Sequence, residues 1–255
     1  MIIAHRGVSF NLPENSLPAF EASWELGVDG IEGDFHLTKD GEIVCIHDDD
    51  TKRVCNTKAI IQNSTLQDLK ELELSYEGDS NLNLKIPTIS EVIQAIPYGK
   101  KFFIEIKCGT EIILPLLSQL SGSSMSSDDV VIISFDSKVI KVLKELESKY
   151  KALLLYSCEE GRDIDKLIDE ASKIKANGIS TDNENSKTLV KKIINSGLEY
   201  HSWTIDDKDT AVKLLNLFED WAKSKGVKEI RLGSSHGVDT EQVKKFYEWR
   251  KYETI

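Results

Sequence analysis

Short runs of β-branched and aromatic residues recur at residues 2–4, 30–35, 101–106, 130–135, 152–156, 178–181, 199–204 and 229–232, eight in all. Most of the intervals between them carry apolar residues at helical spacing, as in Ala19, Phe20, Ala22, Trp24 and Leu26, or Val139, Ile140, Val142, Leu143 and Leu146. Consecutive parallel strands need a crossover between them, and a helix laid back on the sheet supplies it. Eight such units in 255 residues predict a closed (β/α)8 barrel rather than an open doubly wound sheet. The G-x-G-x-x-G turn of a dinucleotide site is absent as well.

One run breaks the alternation. Residues 42–47 follow 30–35 after only "HLTKDG", too short for a crossover helix, and Asp40-Gly41 is a hairpin signal. This strand is expected to run antiparallel to its predecessor and to bring His47 back to the barrel mouth. Residues 48–86 are polar and without a clear strand, which reads as a small insertion capping the mouth. No Gly/Ser linker, repeat or low-complexity tract divides the chain, so residues 1–255 are expected to form one domain.

The charge balance narrows the partners. Thirty-two basic against 43 acidic residues leave a net charge of −11, which argues against nucleic acid, since phosphate-backbone affinity comes from clustered Lys and Arg. Cys45, Cys55, Cys108 and Cys158 are scattered without a C-x-x-C pair and read as reduced thiols. There is no apolar run of transmembrane length and no signal-like N-terminus. A cytoplasmic chain without an integral membrane segment is the expectation; the sequence sets no oligomeric state.

In a barrel of this type the carboxyl ends of the strands converge on one face. Those ends carry His5 and Arg6 after the first strand, Glu32 and Asp34 on the second, His47 after the hairpin, and Glu105 and Lys107 on the third. Strand alternation puts Glu32, Asp34 and His36 on one side, with Ile31, Gly33 and Phe35 on the other. Carboxylates two residues apart repel one another unless a cation lies between them, and an all-oxygen set suits Mg²⁺ or Ca²⁺ better than zinc. Each acid taken singly also reads as a partner for Arg or Lys. Two histidines beside such a cluster suit proton exchange near neutral pH. Arg6 and Lys107 supply fixed positive charge, able to neutralise Glu14, Glu32 or Glu105 and to bind phosphate.

Other residues read more plainly. Asn15 or Ser16 is expected to cap the first helix, with Pro18 in its first turn. Trp203 either stacks on a substrate or fills the barrel top. Trp24, Tyr76, Trp221 and Trp249 read as packing residues, and the tract "HDDDTKR" as a solvated loop.

The ordered stretches "AHRG", "PENSLPAF", "GVDGIEGDFHLTKDGEIVCIHD", "IPTISEVI", "FFIEIK", "ISFD" and "SWTID" together resemble the glycerophosphodiester phosphodiesterase family. The resemblance implies a (β/α)8 barrel with a small insertion after the His-Asp segment. It also implies metal-dependent hydrolysis of a small-molecule glycerophosphodiester to glycerol 3-phosphate and an alcohol. By the same resemblance Glu32, Asp34 and Glu105 hold one divalent cation, His5 and His47 are the acid/base pair, and Arg6 and Lys107 contact phosphate; Trp203, from its place at the barrel top, is the further candidate substrate contact. The first nucleophile stays open between water and the neighbouring glycerol hydroxyl. Two segments depart from the family pattern: "RVCNT" replaces an "RTTNG"-like sequence, and "RLGSSHG" stands where a T-D-x-P segment is common. The alternatives are a related lipid phosphodiesterase, of the lysophospholipase D or sphingomyelinase D kind, and a non-catalytic barrel scaffold.

Overall fold

A computed structural model describes residues 1–76, 83–157, 163–182 and 187–205, with the backbone of 232–234. Strands β1 (Ile2–His5), β2 (Gly30–Leu37), β4 (Lys101–Ile106), β5 (Val130–Ser134), β6 (Lys151–Tyr156), β7 (Gly178–Thr181), β8 (Glu199–Ser202) and β9 (Leu232–Ser234) form one parallel path in the order β8-β7-β6-β5-β4-β2-β1-β9. The end strands β8 and β9 approach one another, with Cα atoms within 8 Å, so the sheet is curled. No ladder joins them among the described residues. The eighth run read from sequence, residues 229–232, meets β9 at Leu232; residues 229–231 lie outside the described residues, as do Cys158, Trp221 and Trp249.

Strand β3 (Ile43–Cys45) pairs antiparallel with β2, as the Asp40-Gly41 turn predicts, with Phe35 opposite Cys45 and Leu37 opposite Ile43. The helices are α1 (Leu17–Glu25), α2 (Lys52–Cys55), α3 (Leu66–Glu71), α4 (Ile89–Gln94), α5 (Ile113–Ser121), α6 (Ser137–Leu146), α7 (Ile164–Lys173) and α8 (Lys187–Asn195). None among the described residues is long and apolar enough to cross a membrane.

The two faces of the sheet bury separate clusters, as a period of two requires. Ile31, Phe35, Ile104, Ile106, Ile132 and Leu154 belong to the cluster shared with the helices, including Phe20, Leu116 and Leu143. Ile3, Phe103, Val131, Ile133, Leu153 and Leu155 gather on the inner face. A third cluster, Val44, Ile46, Val54, Cys55, Ile61, Leu69, Leu74 and Ile86, is the small core of the segment between β3 and α4. Strand β3 divides its alternate residues between two of these clusters: Ile43 and Cys45 join the main one, and Val44 joins the third. The insertion is thus more ordered than its polar sequence suggests, because a few spaced apolar residues suffice to nucleate a core around one strand.

The turn after β1 is fixed by α1. The Val8 amide donates to the Ala19 carbonyl at 2.9 Å, and Gly7 sits at φ +78°, where a Cβ would come within 2.6 Å of the Ala19 carbonyl carbon. Only glycine meets both conditions without displacing the helix. Gly7→Ala is expected to cost about 1–3 kcal/mol and to lower the melting temperature by several degrees in calorimetry; an unchanged melting temperature would contradict this packing.

Candidate active site

Glu32, Asp34 and Glu105 come together at the carboxyl ends of β2 and β4. Asp34 stands opposite Glu105 in the β2–β4 register, and Glu32 stands opposite His5 in the β1–β2 register. All three acids are buried, and each offers an oxygen such that the three lie within 4.8 Å of one another. Strand alternation therefore delivers the acidic trio as the sequence predicts.

Around it lie the expected cations. Lys107 Nζ donates to Glu105 Oε1 at 2.6 Å and lies 3.7 Å from Asp34 Oδ1. Arg6 sits at φ +57°; its amide donates to Glu32 Oε2 at 3.1 Å, and its guanidinium lies 3.1 Å from Asp34 Oδ2 and 3.2 Å from Glu14 Oε1. His5 Nε2 is 3.8 Å from Glu32 Oε2. Three clustered carboxylates face two fixed cations, even before Glu14 is counted, so full ionisation of the acids would leave the site net negative.

The electrostatics follow. Burial, then the charges of Asp34 and Glu105, push Glu32 well above the usual carboxylate range. Burial and the Asp34 charge push Glu105 up to about 7, against the pull of Lys107. Burial opposes ionisation of Asp34 too, but Arg6 and Lys107 hold its carboxyl below its ordinary value. Glu32 Oε1 and Asp34 Oδ1 are buried and accept no hydrogen bond. A hard divalent cation, which takes carboxylate oxygens as ligands, fits that donor set.

The hairpin returns His47 to the same cleft. His5, Glu32, His47, Glu105, Lys107 and Trp203 all line a cavity of about 210 Å³, together with an apolar wall that includes Ile3, Phe103, Ile133, Phe135 and Leu155. Trp203 meets Phe135 edge to face, with ring centroids 5.8 Å apart. Arg6 and Asp34 are not part of the lining; they support it from the side of Glu14 and Asn15.

Of the two expected caps, Ser16 caps α1, its hydroxyl accepting from the Ala19 amide. Other residues escape sequence reasoning. Asn15 is buried at φ +56°, a left-handed conformation that asparagine tolerates better than most residues. Its Nδ2 donates to Asp34 Oδ2 at 2.8 Å and its Oδ1 accepts from the Asp34 amide at 3.1 Å, so one side chain fixes both ends of Asp34. The "HDDDTKR" tract is likewise not a bare solvated loop. His47 Nδ1 is 2.7 Å from Asp48 Oδ1, and Arg53 of α2 donates to Asp48 and to Glu14. His36 Nε2 bonds the His47 carbonyl at 3.1 Å. His201 is buried in the cleft wall, its ring centroid 5.8 Å from that of Phe103. The one local signal for Asn15 was its place after Pro-Glu and before a helix; nothing local marks the others.

A buried acidic trio beside two cations, with two histidines on a shared cleft, has the parts needed to neutralise and hydrolyse a phosphate ester. The chain belongs to the glycerophosphoryl diester phosphodiesterase family, whose model matches residues 5–222. It is 37% identical over 166 residues to a glycerophosphodiester phosphodiesterase of Caldanaerobacter subterraneus subsp. tengcongensis, covering 62% of this chain and 67% of that protein. A Bacillus subtilis glycerophosphodiester phosphodiesterase is 26% identical over 239 residues, covering 87% of this chain and 80% of the relative. In fold, the chain is similar to an Oleispira antarctica phosphodiesterase solved in complex with the product sn-glycerol-3-phosphate, with a TM-score of 0.82, 23% identity and coverage of 98% and 96%.

The raised Glu105 sets a pH dependence. Its folded value of about 7 lies above the ordinary 4.5, so the folded state holds the extra proton between them. The stability tied to that proton is complete below the ordinary value and is lost as pH rises through about 7. Metal-free protein should therefore lose stability across this interval, while a divalent cation held by the trio should bind more tightly as pH rises through it, displacing protons at its low end and few above it. Calorimetric titration in buffers of different ionisation enthalpy tests this; a pH-independent affinity without proton release would refute it.

Proposed function

We propose that the chain hydrolyses small-molecule glycerophosphodiesters to glycerol 3-phosphate and an alcohol, with Glu32, Asp34 and Glu105 holding one divalent cation, Mg²⁺ or Ca²⁺. The observation that carries this reading is the buried acidic trio, two of whose members, Glu32 and Glu105, line one cleft with His5, His47 and Lys107. The β8–β9 approach supports a closed (β/α)8 barrel of one domain, with residues 48–86 as its capping insertion.

The bound cation would supply Lewis-acid charge at the phosphate. The protein's own groups do the rest. Lys107, on the cleft, takes up phosphate charge, and Arg6, beside the lining at Asp34 and Glu14, adds its fixed positive charge to phosphate binding. Desolvation by the apolar wall of Phe103, Ile133 and Leu155 strengthens these attractions. His5, on the strand that abuts Glu32, accepts the proton of the attacking oxygen, whether water or the glycerol hydroxyl. His47, held by Asp48 at Nδ1, delivers a proton to the departing alcohol. Trp203 and Phe135 close the cleft beside the substrate.

The test is turnover of glycerophosphodiesters with choline, ethanolamine and inositol groups, with and without EDTA. Activity on these that EDTA abolishes and Mg²⁺ or Ca²⁺ restores is expected. Turnover of lysophospholipid alone would assign the chain to the lipid phosphodiesterases, and no turnover of any diester would leave a scaffold. The two histidines separate by leaving group, because general acid catalysis, about 10² to 10⁴ in rate, matters least for a good leaving group. His47→Ala should lose far more activity on glycerophosphocholine than on an activated aryl diester, and His5→Ala should lose a similar factor on both. The reverse pattern exchanges their roles, and wild-type rates for both variants remove the pair from the mechanism.

A further inference from the structure

Between Arg6 and His47 runs a continuous chain of ion pairs that the acid/base reading does not use. Arg6 Nη1 is 3.2 Å from Glu14 Oε1. Arg53 grips the same carboxylate with two donors, Nη1 to Oε2 and Nη2 to Oε1, both at 2.8 Å. The rest of its guanidinium reaches Asp48, Nε to Oδ2 at 2.6 Å and Nη2 to Oδ1 at 3.1 Å. Asp48 Oδ1 in turn is 2.7 Å from His47 Nδ1. One planar cation thus serves two carboxylates, one holding Arg6 and the other holding His47.

We infer that Arg53 is a positioning residue that fixes the phosphate-binding Arg6 and the proton carrier His47 in one relative geometry, acting through Glu14 and Asp48. The inference rests on the proposed roles of those two residues. Backbone bonds already tie Arg6 to Glu32 and Ile46, the residue before His47, to Asp34, both on β2, so what Arg53 adds is the direction in which the two side chains are held. The base of Arg53 is well anchored: its neighbours Val54 and Cys55 are buried in the insertion core. Thr51, before α2, is buried and bonded to the Thr57 carbonyl and the Ala59 amide. The insertion is therefore a bracket that carries a cation to the cleft.

The Arg53 side chain is nearly half exposed, and ion pairs at such sites add little to folding stability. The forked geometry matters more: Arg can grip two carboxylates in fixed directions, whereas Lys offers a single point of charge.

Steady-state kinetics of the full chain on glycerophosphocholine in saturating Mg²⁺, beside thermal melts, test the inference. Arg53→Gln should lower kcat/KM by about tenfold to a hundredfold, the scale of a misplaced reacting group, with KM raised and kcat lowered together and a melt close to wild type. Glu14→Gln should act mainly on KM and Asp48→Asn mainly on kcat. In the Asp48→Asn background, adding Arg53→Gln should lower kcat far less than it does alone, as for two members of one path. Arg53→Lys should not restore either parameter. Wild-type kcat and KM in Arg53→Gln would overturn the inference, as would full recovery by Arg53→Lys, which would reduce the role to charge. Should Arg53→Gln melt much lower, the Lys variant decides. Arg6→Gln and His47→Ala distinguish the two failures: if both stay active, the catalytic reading falls and the inference with it, and if both are inactive while Arg53→Gln is not, the inference alone falls.

Discussion

Three carboxylates held within 4.8 Å of one another at the end of a parallel sheet repel each other and resist desolvation at the same time. Each neighbour in the structure answers one of those two costs. Arg6 and Lys107 supply opposite charge to Asp34, Asn15 supplies its hydrogen bonds, and the Arg6 amide serves Glu32. The left-handed turn at Arg6 and Gly7 follows from the need to bring that amide and guanidinium back over β2. What these partners leave unmet, oxygens of Glu32 and Asp34 without hydrogen bonds, is the part of the demand that a cation satisfies. Remove the acidic trio and most of this local architecture loses its physical reason.

Much of the site was legible because a strand has a strict period of two. Glu32 and Asp34 share a face, and Ile31 and Phe35 are committed to the other by the helix-side core. The short gap at Asp40-Gly41 gave the antiparallel direction of β3, and with it the return of His47 to the cleft. The parallel order of the sheet follows from the alternation of apolar runs with helical spacing.

What was not legible depends on single dihedrals and on contacts between distant segments. Asn15 and Ser16 are both good cap residues, and only the φ of Asn15, +56°, decides which one turns inward to Asp34. Asp48 and Arg53 sit in a run whose composition looks like a wet loop, and their partner Glu14 is 39 residues from Arg53. No periodicity carries that information. His201 was hidden for a different cause: it is two residues before Trp203 on a strand end that was read for its tryptophan.

The third apolar cluster gives the catalytic edge a separate source of rigidity. Val44 and Ile46 lead directly to His47, and their side chains belong to the cluster of Val54, Leu69 and Ile86 rather than to the main core. The free energy that keeps His47 in place is thus shared between this small core and the β2–β3 ladder, and segments of one protein can open separately at different free energies. On the proposed role of His47, loosening of that small core would disturb proton transfer before it disturbed the curled sheet.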